Sequence, residues 1–455
     1  MFRILHSCNP HASPLLPRVK HLDIRLDVFA SEGQYQNLVN WNALESICVI
    51  FCRCDETLVP DSVWNEVSSL LLLSATVIKY FHLRTRYSVV FEKLRADVAV
   101  HDGLLNVYRN FRRLEVFDAR SSMLTHNTLA HFAALSTLRA FRFSIGAEEL
   151  KGFVDSNSSK YIFMELTDFV IQTDDLEEAT RLVEQKGFGR LEHLTVCRGS
   201  MQGFWTLDPF FKALQKQAGN MPLTSLRLIP GKYAKSDSVH PLGGLVPKSG
   251  VHTFVPLFEF TDMTVLEIDM FGSVDLNDSG LIDLANAWPR LEILKLCEYT
   301  RTMPDAATGL TIFGLLPLVA SCINLRELTI RVDARNAIPD AAQLRNIGPA
   351  LKLRCLNVSR SPANDSDVTS ISYFIKTVFP NLRTLSNRWN IIGPDWHYRE
   401  PVEEENLHCW EDIQRQSVVR SFDVAGNFFH HCSQWSNRGE GSKWINKCDS
   451  LADSR

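Results

Sequence analysis

The pattern Leu-x-x-Leu-x-Leu, in which Val, Ile, Phe or Met can replace Leu, recurs along almost the whole chain. One copy consists of Leu291, Leu294 and Leu296. The copies begin at Val19, Leu44, Ile78, Leu114, Leu138, Leu166, Leu191, Leu223, Met263, Leu291, Leu325, Leu353 and Leu382. Two copies are imperfect, because Ala119 and Asn387 occupy the last apolar position. A chain with this pattern is built from repeated units.

The spacing within each copy predicts a strand that is buried on one face. Leu294 and Leu296 are two residues apart, so their side chains share one face of a strand, and Lys295 points to the other. A single strand cannot bury that apolar face alone, but parallel stacking of successive copies can. The sequence therefore predicts an α/β leucine-rich-repeat solenoid. We expect a horseshoe with a concave parallel sheet and helices on the convex side.

Helices are predicted in the segments that join successive strands. Apolar residues with helical spacing indicate helices at 277–287, 310–320 and 367–378, and Pro289 ends the first of these before the strand that follows. Asp367 is predicted to cap the third helix with its side-chain oxygen.

The repeats divide the chain into four parts. Residues 1–17 form a short N-terminal lead, and residues 18–400 form the solenoid, with a loop inserted at 230–249. Residues 401–432 are predicted to be an acidic, helical C-terminal cap. Residues 433–455 form a polar tail that we expect to be disordered.

Composition narrows the classes of function. The chain has 48 basic and 52 acidic residues, for a net charge of −4, so no nucleic-acid partner is expected. The apolar run 47–52 ends at Arg53, and no other run is long enough for a membrane span or a secretory signal. Eleven scattered cysteines are typical of a reducing compartment. We expect an intracellular protein, cytoplasmic or nuclear, with no membrane partner.

Catalytic and metal-binding motifs are incomplete or missing in the sequence. Cys48, Cys52 and Cys54 with His82 lack a second cysteine pair that would complete a tetrahedral metal site. There is no Gly-x-Ser-x-Gly elbow, no phosphate-binding GxxxxGK[ST] loop and no HExxH helix. We therefore predict no catalytic residue, no cofactor and no metal, and a protein that is not an enzyme.

The outward-facing strand positions are the candidate binding residues. In each copy, the fifth and seventh residues are expected to point onto the exposed concave sheet, where arginine suits protein interfaces. The candidates are Arg25, Arg84, Arg120, Arg142, Arg227, Glu267, Asp269, Lys295, Arg331 and Arg388. Together they lean basic and predict a protein partner of unknown identity. The alternative is an ordinary solvated face.

One stretch of the chain carries a family resemblance. Residues 256–299 read PLFEFTDMTVLEIDMFGSVDLNDSGLIDLANAWPRLEILKLCEY, and the likeness continues through 309–334 and 356–389. A Trp-containing segment, EEENLHCWEDI, follows at 403–413. These segments resemble the F-box and leucine-rich-repeat proteins of mushroom-forming (basidiomycete) fungi.

The resemblance implies the substrate receptor of a cullin-RING ubiquitin ligase. In that family an amino-terminal F-box binds the ligase adaptor, and the repeats hold the protein to be modified. Residues 1–17 have room for neither the F-box motif nor its helices. The ligase adaptor is thus an expected partner only if an F-box lies upstream. The alternatives are a scaffold or inhibitor without a ligase connection, and an enzyme.

Overall fold

A computed structural model describes most of the repeat region. The described residues are 18–26, 40–51, 61–85, 98–156, 163–185, 187–199, 205–230, 248–270, 273–298, 309–335, 344, 348–387 and 401–417. The predictions for 1–17, for 231–247 within the inserted loop and for the 433–455 tail concern residues outside these ranges.

Among the described residues, thirteen strands form one parallel sheet in chain order. They are β1 (His21–Leu26), β2 (Ser46–Phe51), β3 (Tyr80–Thr85), β4 (Val116–Leu124), β5 (Ala140–Ile145), β6 (Asp168–Thr173), β7 (His193–Arg198), β8 (Ser225–Pro230), β10 (Val265–Met270), β12 (Ile293–Glu298), β13 (Glu327–Thr329), β14 (Cys355–Asn357) and β15 (Thr384–Ser386). Each strand begins two residues after the first apolar residue of one predicted copy. The predicted α/β repeat architecture with a parallel sheet is confirmed.

Two shorter strands pair separately from the main sheet. Strands β9 (Lys248–Gly250) and β11 (Ser273–Asp275) form a two-stranded parallel sheet. They flank the strand of the copy that begins at Met263, where the longest interval between copies occurs.

The described helices lie between the strands, as the periodicity predicts. They are α1 (Asp61–Ser74), α2 (Val98–Asn110), α3 (His126–Ala133), α4 (Ala147–Ser156), α5 (Leu176–Gln185), α6 (Leu207–Gln215), α7 (Val251–Phe254), α8 (Asp278–Ala287), α9 (Leu315–Ser321), α10 (Val368–Val378) and α11 (Pro401–Ser417). Short 3₁₀ helices occur at Trp41–Ala43, Val255–Glu259, Ile312–Gly314 and Asp365–Asp367.

The three helices predicted from the sequence begin later than predicted: α8 begins at Asp278, α9 at Leu315 after a 3₁₀ helix, and α10 at Val368. Asn277 is the N-cap of α8, because its side chain accepts a hydrogen bond from the Gly280 amide. Asp367 makes no side-chain cap for α10, so that prediction was wrong. It already has helical backbone angles, and its carboxylate accepts a hydrogen bond from the Asn364 side-chain amide at 3.0 Å instead.

The register of the sheet gives the core its continuity. Parallel pairing places each motif position beside the same position of the next copy, as in the series Leu266, Leu294 and Leu328. All three side chains are buried. The register shifts once, in β4 between Ala119 and Met123, within one of the two imperfect copies.

Aromatic rings fill the core under the first half of the sheet. The rings of Phe81 and Phe117 lie 5.6 Å apart, and those of Phe117 and Phe141 are also 5.6 Å apart. Tyr108 and Phe132 pack against this series from α2 and α3. Buried rings at these distances stabilise the stack by area burial and by edge-to-face contacts. Neighbouring repeats therefore depend on one another for their core.

Helix α11 packs across the last repeats. It lies within the predicted 401–432 cap, and the rest of that segment is outside the described residues. The Trp410 indole donates a hydrogen bond to the Ser361 carbonyl at 2.7 Å. Asn406 Oδ1 accepts one from the Ala363 amide, also at 2.7 Å. Trp410 and Ile413 are buried, so the helix covers the apolar end of the stack.

We predict that Leu294→Asp unfolds much of the molecule. Leu294 is 0% exposed. A buried carboxylate without a partner should lower the free energy of unfolding by about 4 kcal/mol or more, which is at the upper end of the range for single substitutions. Urea unfolding of the two proteins measures the loss. Leu351→Asp is the matched control, because Leu351 is 58% exposed and the same change there should cost under about 0.5 kcal/mol. Equal stability of both variants would contradict the register.

Candidate functional face of the sheet

The fifth motif positions form one row on the side of the sheet away from the core. Strand pairing aligns these residues across all thirteen strands. This fifth-position row consists of Asp23, Cys48, His82, Asp118, Arg142, Val170, Thr195, Arg227, Glu267, Lys295, Thr329, Asn357 and Ser386. The third and seventh positions share the same face, because side chains alternate along a strand.

The structure places most of the predicted residues on this face. Four of them lie in the fifth-position row: Arg142, Arg227, Glu267 and Lys295. Arg84 and Asp269 occupy seventh positions within paired strands, whereas Arg120 lies in the register shift of β4 and Arg331 follows the end of β13. Arg25 also occupies a seventh position, in β1, but only its backbone is described. Arg388 lies outside the described residues, so its predicted role stays a prediction.

Charged side chains from four strands meet in the first half of the face. Asp118 lies 3.1 Å from Arg120 Nε and 3.5 Å from Arg142 Nη1. Arg142 Nη2 also donates to Asp168 Oδ2 at 2.6 Å. His82 pairs with Asp118 in the strand register. We call His82, Asp118, Arg120, Arg142 and Asp168 the β3–β6 cluster.

Burial and charge compete at Asp118, which is only 5% exposed. Burial alone would raise the pKa of its carboxyl group, but Arg120 and Arg142 outweigh burial and hold that pKa below its ordinary value. Asp118 is therefore a carboxylate at neutral pH, and it depends on its two arginines.

His82 experiences the opposite balance. Burial lowers the pKa of its imidazole more than the Asp118 carboxylate raises it. Its Nδ1 atom has no hydrogen-bond partner among the described residues. The ring is consequently neutral at physiological pH.

A second group of charges lies on β8, β10, β12 and β13. Arg227 Nη1 is 3.2 Å from Glu267 Oε2, and Lys295 Nζ is 2.8 Å from Glu327 Oε2. Burial lowers the pKa of the Lys295 amine, but Glu267 and Glu327 outweigh it, so that pKa lies above its ordinary value. We call Arg227, Glu267, Lys295 and Glu327 the β8–β13 cluster.

The two clusters correct the picture of a face that leans basic. Arg142, Arg227 and Lys295 are expected from the sequence to be available to a partner, yet each is paired with a carboxylate of a neighbouring strand. Two of those carboxylates, Asp168 and Glu327, occupy third motif positions that the prediction left out. The same period of two that selected the fifth and seventh positions would have found them.

Neutral side chains separate the two clusters. Val170 and Thr195 occupy the fifth positions of β6 and β7, and Val170 is largely buried against its neighbours. The face thus has a neutral centre between two charge-compensated regions.

Cysteine thiols are present in the described part of the chain, but clusters of metal-ligating side chains are not. No group of three or more His, Cys, Asp or Glu side chains there is placed to hold a metal ion. Cys48, Cys197, Cys322, Cys355 and Cys409 are in the reduced thiol form. No helix among the described residues has the length and apolar character needed to cross a bilayer.

Comparisons with known proteins find little similarity to this chain. No family model matches the chain, and no curated protein matches its sequence. Among solved structures, it is similar to a yeast structure described as the complex of Rad7 and Elc1, with a TM-score of 0.32 and 14% identity. That alignment covers 71% of this chain and 86% of the other. A likeness at this level supports no conclusion about function.

We predict that Arg142→Met lowers the free energy of unfolding by about 1–3 kcal/mol at neutral pH, because Asp118 and Asp168 lose a charged hydrogen-bond donor. Since the folded-state pKa of Asp118 is below 3.8, this contribution is present above pH 3.8 and is lost as the pH falls through the folded value. Urea unfolding across that range measures both effects.

Arg290→Met is the matched control for this substitution, because Arg290 pairs with Asp262 at 2.6 Å on the exposed surface. Exposed pairs contribute little, so this variant should behave like the parent. If the two variants were equally stable at neutral pH, the β3–β6 cluster would be no more important than a surface ion pair.

We predict that stability falls as the pH drops below 6.5, partly because of His82. Its folded-state pKa lies below the ordinary 6.5, so the unfolded chain binds the proton more readily in that window. His82→Gln should reduce the difference in unfolding free energy between about pH 7.5 and about pH 5.5. The same change at exposed His193 is the control. An unchanged pH dependence in His82→Gln would refute this role.

Proposed function

We propose that this protein is a non-catalytic interaction scaffold whose sheet face binds another protein. The observation that supports the proposal is the fifth-position row, which continues in register across thirteen strands. Such a row holds side chains on rigid elements over a long distance, which suits a broad protein surface better than a small molecule.

The proposed binding face is the concave side of a curved solenoid. Packed helices lie about 8–10 Å apart, whereas hydrogen-bonded strands lie about 4.8 Å apart. Repeats that pair a helix with a strand must therefore splay on the helix side. This geometry favours the horseshoe expected from the sequence, with the sheet on its inner surface.

The neutral centre and the charge clusters have different proposed roles. Desolvated central contacts usually supply most of the affinity of an interface, and surrounding charges set orientation and selectivity. Thr195 would contact the centre of the partner. Arg142 and Lys295 already have carboxylate partners, so they would reject a partner whose charges are misplaced and add little to affinity.

A narrower proposal is that the chain is the substrate-binding part of an F-box-type ubiquitin-ligase receptor inside the cell. Its support is the sequence resemblance of 256–334 and 356–389 to F-box and leucine-rich-repeat proteins. The alternative is a scaffold or inhibitor that has no ligase connection. Binding to the adaptor of a cullin-RING ligase distinguishes the receptor from the scaffold or inhibitor.

The first experiment tests the binding face. Thr195→Arg places a long charged side chain at the neutral centre, and Tyr373→Arg makes a like change on α10, where Tyr373 is 52% exposed. Both variants and the parent protein are used as baits in an extract of the native cells. Quantitative mass spectrometry then measures the amount of each captured protein. We expect Thr195→Arg to reduce recovery of the principal partner by about tenfold, equivalent to about 1.4 kcal/mol. Equal recovery by Thr195→Arg and the parent would place binding elsewhere.

The second experiment tests the ligase connection. Purified cullin-RING adaptor is mixed with this chain and with the natural gene product, and the captured partner is added to a reconstituted ubiquitylation reaction. Adaptor binding by the natural product, with modification of the partner, supports the receptor. A natural product that binds the partner but not the adaptor favours the scaffold.

A further inference from the structure

A second row of side chains runs along the edge where the strands begin. It is formed by the second motif positions, which are Lys20, Glu45, Lys79, Glu115, Arg139, Thr167, Glu192, Thr224, Thr264, Glu292, Arg326, Arg354 and Arg383. The backbone amide of each residue donates to the carbonyl of the one before it, as from Arg354 to Arg326 and from Arg383 to Arg354, both at 2.8 Å. Neighbours in this row are therefore direct neighbours in space.

Opposite charges alternate in the first five places of the row. Glu45 lies 2.7 Å from Lys20 and 3.7 Å from Lys79, so adjacent side chains can pair. Much later in the row, Glu292 lies 3.8 Å from Arg326. Up to this point the edge neutralises its own charge.

The alternation stops in the last three repeats. Arg326, Arg354 and Arg383 follow one another on strands about 4.8 Å apart, and Lys352 lies two residues before Arg354. We call these four residues the basic strip. Within the described ranges, no carboxylate lies within 4.0 Å of Lys352, Arg354 or Arg383 in an ion pair. Like charges opposite each other destabilise a sheet, so the strip has a cost that a bound anionic group would remove.

Two exposed apolar side chains border the basic strip. Ile323 is 69% exposed and Leu351 is 58% exposed, each in the turn before its strand. Lys352 Nζ donates to Asn324 Oδ1 at 2.5 Å, which joins the two turns. The edge therefore presents four cationic groups beside two large apolar groups.

Two acidic residues of α11, Glu411 and Asp412, are already engaged within that helix. Asp412 pairs with Arg415 at 2.7 Å, and Glu411 lies 3.8 Å from His408. Its side-chain hydrogen bonds to the repeats go to the segment 361–365, which follows β14, whereas Arg354 precedes β14. Neither carboxylate is ion-paired with the basic strip.

We propose that the basic strip binds an acidic segment of a protein partner that also carries an apolar side chain. Arginine forks pair with carboxylates in two parallel hydrogen bonds, and Ile323 and Leu351 would contact the apolar side chain. A nucleic acid would offer no apolar group for Ile323 and Leu351 to contact. The net charge of −4 also disfavours the binding of a polyanionic surface. The strip lies on the strand-start edge, so it is independent of the sheet face.

The test uses a fluorescent synthetic peptide in which glutamates flank a central leucine, and its anisotropy is measured with the full chain. Control peptides carry glutamine for glutamate or serine for leucine. The test variant is Arg354→Glu with Arg383→Glu. Its matched control is Arg113→Glu with Arg139→Glu, which makes the same charge change at exposed positions of the same edge in the first half of the row. Thermal unfolding verifies that both variants fold.

We expect the parent to bind the glutamate–leucine peptide more tightly than either control peptide, with an affinity that falls as salt is added. The Arg354 and Arg383 double variant should lose about tenfold in affinity, and the Arg113 and Arg139 variant should bind like the parent. The proposal fails if both variants bind like the parent, or if the glutamine peptide binds equally well. Binding of phosphatidylserine vesicles or single-stranded RNA, without binding of the acidic peptide, would overturn it in favour of those ligands.

Discussion

The structure depends on the parallel register that sets each repeat beside the next. Leu266, Leu294 and Leu328 are buried only because their strands align without a slip, since a shift of one residue would turn each of them to solvent. The same alignment puts the fifth positions in one row and the second positions in another. Core packing and surface charge are thus two results of a single constraint.

Much of the fold follows from the sequence because the constraint is local and repeated. The motif recurs thirteen times, twice imperfectly, and every copy gives a strand of the main sheet. Helix α8 begins at the residue after Asn277, because an asparagine can cap the helix with its own side chain. Asp367 was predicted to do the same for α10, but a preceding 3₁₀ turn and Asn364 engage it differently. Capping depends on backbone angles that composition alone does not determine.

The candidate face was predictable in position but not in charge balance. Period two identifies which side chains face outward, and the register identifies their neighbours. The partner of Arg142 proved to be Asp168 as well as Asp118, and the partner of Lys295 proved to be Glu327. A carboxylate at a third position can reach a cation at a fifth position of the preceding strand, and that diagonal contact depends on side-chain conformation. Ion pairs of this kind keep a long face ordered and restrict which partners fit it.

The apolar side chains at the two ends of the sheet are buried to different extents, so the stack of repeats is asymmetric along its length. At the carboxyl end, Trp410 and Ile413 of α11 are buried, and Leu385 of the final strand is only 2% exposed. In β1, the corresponding Leu22 and Ile24 are only partly buried, whereas Ile47 and Val49 of the next strand are fully buried. A one-dimensional stack opens from its least protected unit, so amide exchange should be fastest in β1 and slow progressively along the sheet. Fluctuations would then reach Arg142 before Lys295, and the two charge clusters would differ in rigidity despite their similar chemistry.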